Sequence, residues 1–95
     1  MSTIEATPQI YKNVRSYFSA GHGVVNYDLV SVRQKLTETY LYRVMAQNKT
    51  TGEYAVWTSW NETTQSLNCG HYNLNLDDAM DILYCKGEWD YWLIG

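Results

Sequence analysis

This chain is short of residues that break or brace a backbone: one proline, two cysteines and six glycines stand among 95 residues. Two thiols, Cys69 and Cys85, make no disulfide framework, so the fold must rest on a core, and both are expected as free thiols. Basic residues are scarce too. Seven Lys and Arg against ten Asp and Glu leave a formal charge of -3. That balance excludes a broad, sequence-independent hold on nucleic acid, which needs clustered cations to displace counterions. No apolar run approaches the roughly 18 residues that a membrane helix needs. The start, MSTIEATPQ, has neither a basic nor an apolar leader segment, and a cytoplasmic setting is the expectation. Low-complexity tracts, blocks of like charge and internal repeats are missing as well.

Aromatic side chains are abundant instead. Nine Tyr and four Trp accompany a single Phe, and hydrophobic residues make up 45% of the chain. This is the composition of a folded protein, and 95 residues suit one compact α+β domain over 1–95.

Thr7 before Pro8 reads as a helix start, and Ile10, Val14, Tyr17 and Phe18 recur at helical spacing until AGHG interrupts them, so a helix is expected over 8–19. Asn26 can cap a second helix over 27–37, where Leu29, Val32 and Leu36 lie three and four apart. From Thr39 the period changes to two. Tyr40, Tyr42 and Val44 alternate with Leu41, Arg43 and Met45; NKTTG supplies a turn, and EYAVWTSWN returns as the second strand. With Gln47 opposite Glu53, Tyr54, Val56 and Trp60 face the helices, while Trp57 shares the opposite face with Leu41, Arg43 and Met45. A third strand is expected over about 65–74, with Gly70 marking a bulge. Asn75 caps a last helix over 76–86, whose stripe is Leu76, Ala79, Met80 and Leu83. The apolar tail EWDYWLIG is expected to dock on the body. The expected architecture is two N-terminal helices, a three-stranded antiparallel β-meander, and a C-terminal helix packed on one face of the sheet.

Chemistry-bearing clusters are thin. Cys69 and His71, with Cys85 and His22, are the only soft ligands, and their spacing fits no paired zinc pattern. No metal or other cofactor is expected. Cys69 beside His71 is also the sole candidate for a cysteine nucleophile, and it lacks a third orienting group or an oxyanion element. A small cysteine-dependent enzyme is therefore only an alternative; the expectation is a protein that is not an enzyme. Asp77, Asp78 and Asp81 cluster at the start of the last helix, where carboxylates suit the helix dipole or meet a basic cleft on a partner.

Helix, glycine-containing turn, helix and hairpin resemble a winged helix-turn-helix in outline, with Arg33, Gln34 and Lys35 on the would-be reading segment. An aromatic sheet face can also stack single-stranded bases. Nucleic-acid binding by either route is the alternative. The favoured reading is protein binding. With helices on one side of the sheet, the face with Trp57 and Arg43 is either covered by Trp89 and Trp92 of the tail or left for a partner, and these residue types concentrate binding energy at interfaces. The expected partner-binding residues are Arg43, Trp57, Asp77, Asp78 and Asp81, with a protein partner or a second copy of the chain in a homodimer; no membrane partner is expected. In size, charge and composition the chain resembles small acidic proteins of phages and mobile elements, anti-CRISPR inhibitors among them. The resemblance implies an inhibitor that occludes a host protein by contact alone.

Overall fold

In the computed structural model, which describes residues 3–21, 24, 26–35 and 41–84, five antiparallel strands lie side by side in the order of the chain. They are β1 (Thr3–Glu5), β2 (Tyr27–Lys35), β3 (Leu41–Asn48), β4 (Tyr54–Asn61) and β5 (Ser66–Leu74). Helix α1 (Pro8–Ser19) links β1 to β2, and α2 (Leu76–Leu83) follows β5. The helices lie on opposite faces of the sheet, each over its own core. Under α1 are Ile10, Val14, Phe18, Val32, Val44, Trp57 and Trp60, and under α2 are Met45, Val56, Ala79 and Leu83.

The expected two-plus-one helices and three strands are thus corrected, among the described residues, to two helices and five strands. Helix 8–19 forms as the sequence suggests, with Pro8 in its first turn and Ile10, Val14 and Phe18 buried four apart. The expected second helix over 27–37 does not form; residues 27–35 are strand β2. A bulge explains the misreading. The register of β2 on β3 shifts between Leu29 and Ser31, so Leu29 and Val32 pack into the same core although they are three residues apart. One inserted residue turns a spacing of two into three, which imitates a helix.

The same device rearranges the hairpin. Gln47 faces Tyr54, not Glu53, and between Tyr42 and Val44 the partner strand advances from Trp60 to Trp57. The extra residue in β4 puts Ala55, Trp57 and Trp60 on the α1 side, while Tyr54 and Val56 turn to α2. In β5 the irregularity falls opposite Tyr54 and Val56, between Leu74 and His71, where Asn73 has φ 59°. Gly70 pairs with Trp57 in regular register.

Two turns close the meander by one design. Asn48 accepts from the backbone N–H groups of Thr50 (2.8 Å) and Thr51 (3.1 Å). Asn61 accepts from those of Thr63 (2.9 Å) and Thr64 (3.2 Å). The residue four places after each Asn, Gly52 or Gln65, has φ of 78° or 51°. NKTTG and NETTQ are therefore one turn type, an Asx-initiated loop ending in a left-handed residue. The expected end of the last helix at residue 86 and the docked tail 88–95 lie outside the described residues; the described helix ends at Leu83 with Tyr84 as its cap.

Candidate functional site

Each end of α2 carries charge matched to its dipole. At its start Asn75 Oδ1 accepts from the Asp78 N–H at 2.8 Å, and Asp77 and Asp78 occupy the first turn. The last turn has no basic residue of its own. The sheet provides two. Arg33 and Arg43 are paired across β2 and β3, and both are buried. Arg43 donates from Nη1 to the Ile82 carbonyl at 2.7 Å, at the negative end of the helix. Arg33 stacks over Tyr84 at 4.5 Å from the ring centroid. It also donates from Nε to Thr3 Oγ1 (2.9 Å) and from Nη2 to the Thr3 carbonyl (3.2 Å), and forms an ion pair with Glu5 at 3.1 Å. Two arginines side by side would repel; these acceptors and the ring offset that cost.

Trp57 is 3% exposed. Its ring meets Phe18, Tyr27 and Tyr72 edge-on, with centroids 5.5 to 5.8 Å away, and Nε1 donates to Tyr72 Oη at 3.1 Å. It therefore does not share a face with Arg43, and it is no exposed anchor. The expected bare sheet face is covered by α2, and the aromatic face that might stack bases is covered by α1. With residues 27–35 in a strand, the winged-helix outline loses its reading helix.

Asp77, Asp78 and Asp81 are exposed on α2. The structure places Asp78 at the mouth of a cleft of about 440 Å³ formed by the β3–β4 turn, the end of β5 and the start of α2. Tyr54, Leu74 and Leu76 give it apolar walls, and Glu53 faces it from the turn. Leu76 is 49% exposed. Leu76 falls in the expected core stripe because it lies three before Ala79, but at the first helical position it lines the cleft and stays half-exposed. No periodicity could have separated it from Leu83.

Cys69 and His71 are exposed on β5, while His22 and Cys85 lie outside the described residues. Among the described residues no three His, Cys, Asp or Glu side chains gather as a metal site. A different polar cluster joins α1 to the sheet edge. Tyr11 Oη donates to the Glu5 carboxylate and accepts from the Val32 N–H at 2.9 Å. Burial, then the hydrogen bond to Glu5, raises the Tyr11 pKa above its ordinary value. No described helix is long and apolar enough to cross a membrane.

A family model described as large polyvalent protein associated domain 24 matches residues 9–78, which run from the first turn of α1 to the first turn of α2. The chain belongs to this family. The match spans both faces of the sheet and all of the cleft-forming strands, and it supports the coarse expectation of a small domain associated with phages or mobile elements. No curated protein and no solved structure matches the chain.

Proposed function

We propose that the chain is a non-enzymatic protein-binding module and that its contact surface is the cleft between the β3–β4 turn and the start of α2. The observation that carries this reading is the half-exposed Leu76, set beside Tyr54 and Leu74 and rimmed by Asp78 and Glu53. Apolar Tyr54, Leu74 and Leu76 beside the carboxylates of Asp78 and Glu53 suit a partner segment that presents an apolar side chain next to Lys or Arg, since the apolar contact holds and the charges orient. Asp77 and Asp81, exposed on the same helix, extend the negative field over the approach. Of the residues proposed from sequence, Asp78 lines the cleft and Asp77 and Asp81 are exposed nearby on α2, while Trp57 and Arg43 are buried. The family description supports a role beside other parts of a large polyvalent protein. The narrower form of the proposal is an inhibitor that occludes a host protein.

The test is capture of partners from cells that carry the protein, with the tagged chain as bait. A basic partner should be retained by the natural chain and by the Cys69→Ser control, and lost with Leu76→Glu and with Asp78→Lys. With the purified partner, Leu76→Ala should weaken binding by about 2 kcal/mol. Equal capture by all variants would remove the cleft from the reading.

A further inference from the structure

Among the described residues, the edge of the sheet beside α1 is only partly closed. β1 pairs with Arg33, Gln34 and Lys35 of β2 and no further. One residue on, Val32 still has partners: its carbonyl accepts from the Ala6 N–H at 3.0 Å, and its N–H donates to Tyr11 Oη. From Tyr27 to Ser31, no strand among the described residues lies across that edge of β2. Natural proteins guard such an edge with lysine or proline, or twist it away with a bulge. Here the sequence is YDLVS, with neither lysine nor proline; of these guards it has the bulge between Leu29 and Ser31, where Val30 is 46% exposed.

A cleft of about 700 Å³ lies between α1 and the start of β2 and reaches Lys49 just after β3. Phe18, Tyr27 and Leu29 give it an apolar floor, and Arg15 and Lys49 stand in its walls with Asp28. Lys49 and Asp28 are 3.7 Å apart, so those two charges largely offset each other. Arg15 lies over the Tyr11 ring at 5.4 Å and forms no ion pair with a carboxylate among the described residues. Arg15 is one helical turn beyond Tyr11, and Tyr11 already takes the place of a strand at Val32. Arg15 thus leaves the cleft with a net positive charge along residues 27–29, which no described strand pairs on the β1 side.

We infer that residues 27–31 are a strand-addition site for an extended acidic segment of a partner protein. The segment's backbone pairs with β2, its apolar side chains sit on Phe18, Tyr27 and Leu29, and a carboxylate meets Arg15. The site is distinct from the acidic cleft at α2, which selects the opposite charge on the opposite face of the sheet.

The probe is a fluorescent peptide of alternating valine and aspartate, about eight residues long to match a typical strand, titrated into the full chain. Anisotropy should show saturable binding, and amide exchange at residues 28–31 should slow in the bound state. Arg15→Glu should weaken binding at least tenfold, whereas Lys12→Glu, the same charge change one turn earlier and outside the cleft, should have little effect. A peptide with alternate amides N-methylated should fail to bind, because strand addition depends on main-chain hydrogen bonds. The inference is overturned if the valine–aspartate peptide does not bind, if Lys12→Glu weakens it as much as Arg15→Glu, or if a valine–lysine peptide binds equally well. It is also overturned if the chain alone protects residues 28–31 and sediments as a dimer, since the edge then belongs to a second copy.

Discussion

Single residues in this fold act mainly through the backbone they permit and the ring they support. Gly52 and Gln65 occupy the same left-handed place in two turns of one design, and a Cβ at Gly52 would meet no atom. Gly52→Gln should therefore cost only the conformational term, about 1 kcal/mol, while Gln65→Gly should be neutral or stabilising; urea midpoints of the two variants check the ordering. Gly70 has a different reason. A Cβ there would lie 2.6 Å from Tyr72 Cζ, because the tyrosine ring folds back over the glycine to reach Trp57. Trp57→Ala should cost about 3 to 5 kcal/mol as a buried aromatic truncation. Gly70→Ala should cost less, since the half-exposed Tyr72 can swing outward, and near-ultraviolet dichroism should record the lost Trp57–Tyr72 contact. Tyr11 contributes a pH dependence. Its pKa in the fold lies above the unfolded value of about 10. The stability it adds is complete below that pH and is lost as pH rises through the folded value. Tyr11→Phe should flatten the alkaline limb of the stability profile.

At the scale of elements, α2 is a short helix held from both ends and one side. Asn75 caps its start, Arg43 caps its end, and Ala79 and Leu83 fill the space over Met45 and Val56. Leu83→Ala should cost about 2 to 5 kcal/mol; Met80, half-buried at the margin of that core, should cost less. Asn75→Ala should cost about 1 kcal/mol, and replacing exposed Asp77 or Asp81 should change the denaturation midpoint little. This helix was legible in sequence because its cap, acidic first turn and apolar spacing agree. β2 was not, because its bulge converts the strand period into the three-residue step of a helix. The candidate site shows the same split. The acidic start of α2 follows from Asp77, Asp78 and Asp81, but Leu76, Tyr54 and Glu53 come together only when the β3–β4 turn folds up to α2.

Across the whole molecule, the sheet separates two cores that share no buried residue, one under each helix. Phe18→Ala and Leu83→Ala should therefore add, within about 0.5 kcal/mol, when combined; a larger coupling, measured in a double-mutant cycle, would show that the sheet transmits strain between its faces. The amino-acid sequence by itself determined the local units. These are α1 from Pro8 and its four-residue apolar step, α2 from Asn75, and the two turns from asparagine followed by paired threonines. Each depends on contacts within a few residues. Which face a strand residue presents was decided only by tertiary structure. Strand parity depends on register and on each inserted residue, and these are set by pairing between strands, β2 with β3 and β3 with β4. That is why Trp57 lies under α1, Arg43 lies under α2, and no described strand pairs with β2 from Tyr27 to Ser31 on the side away from β3.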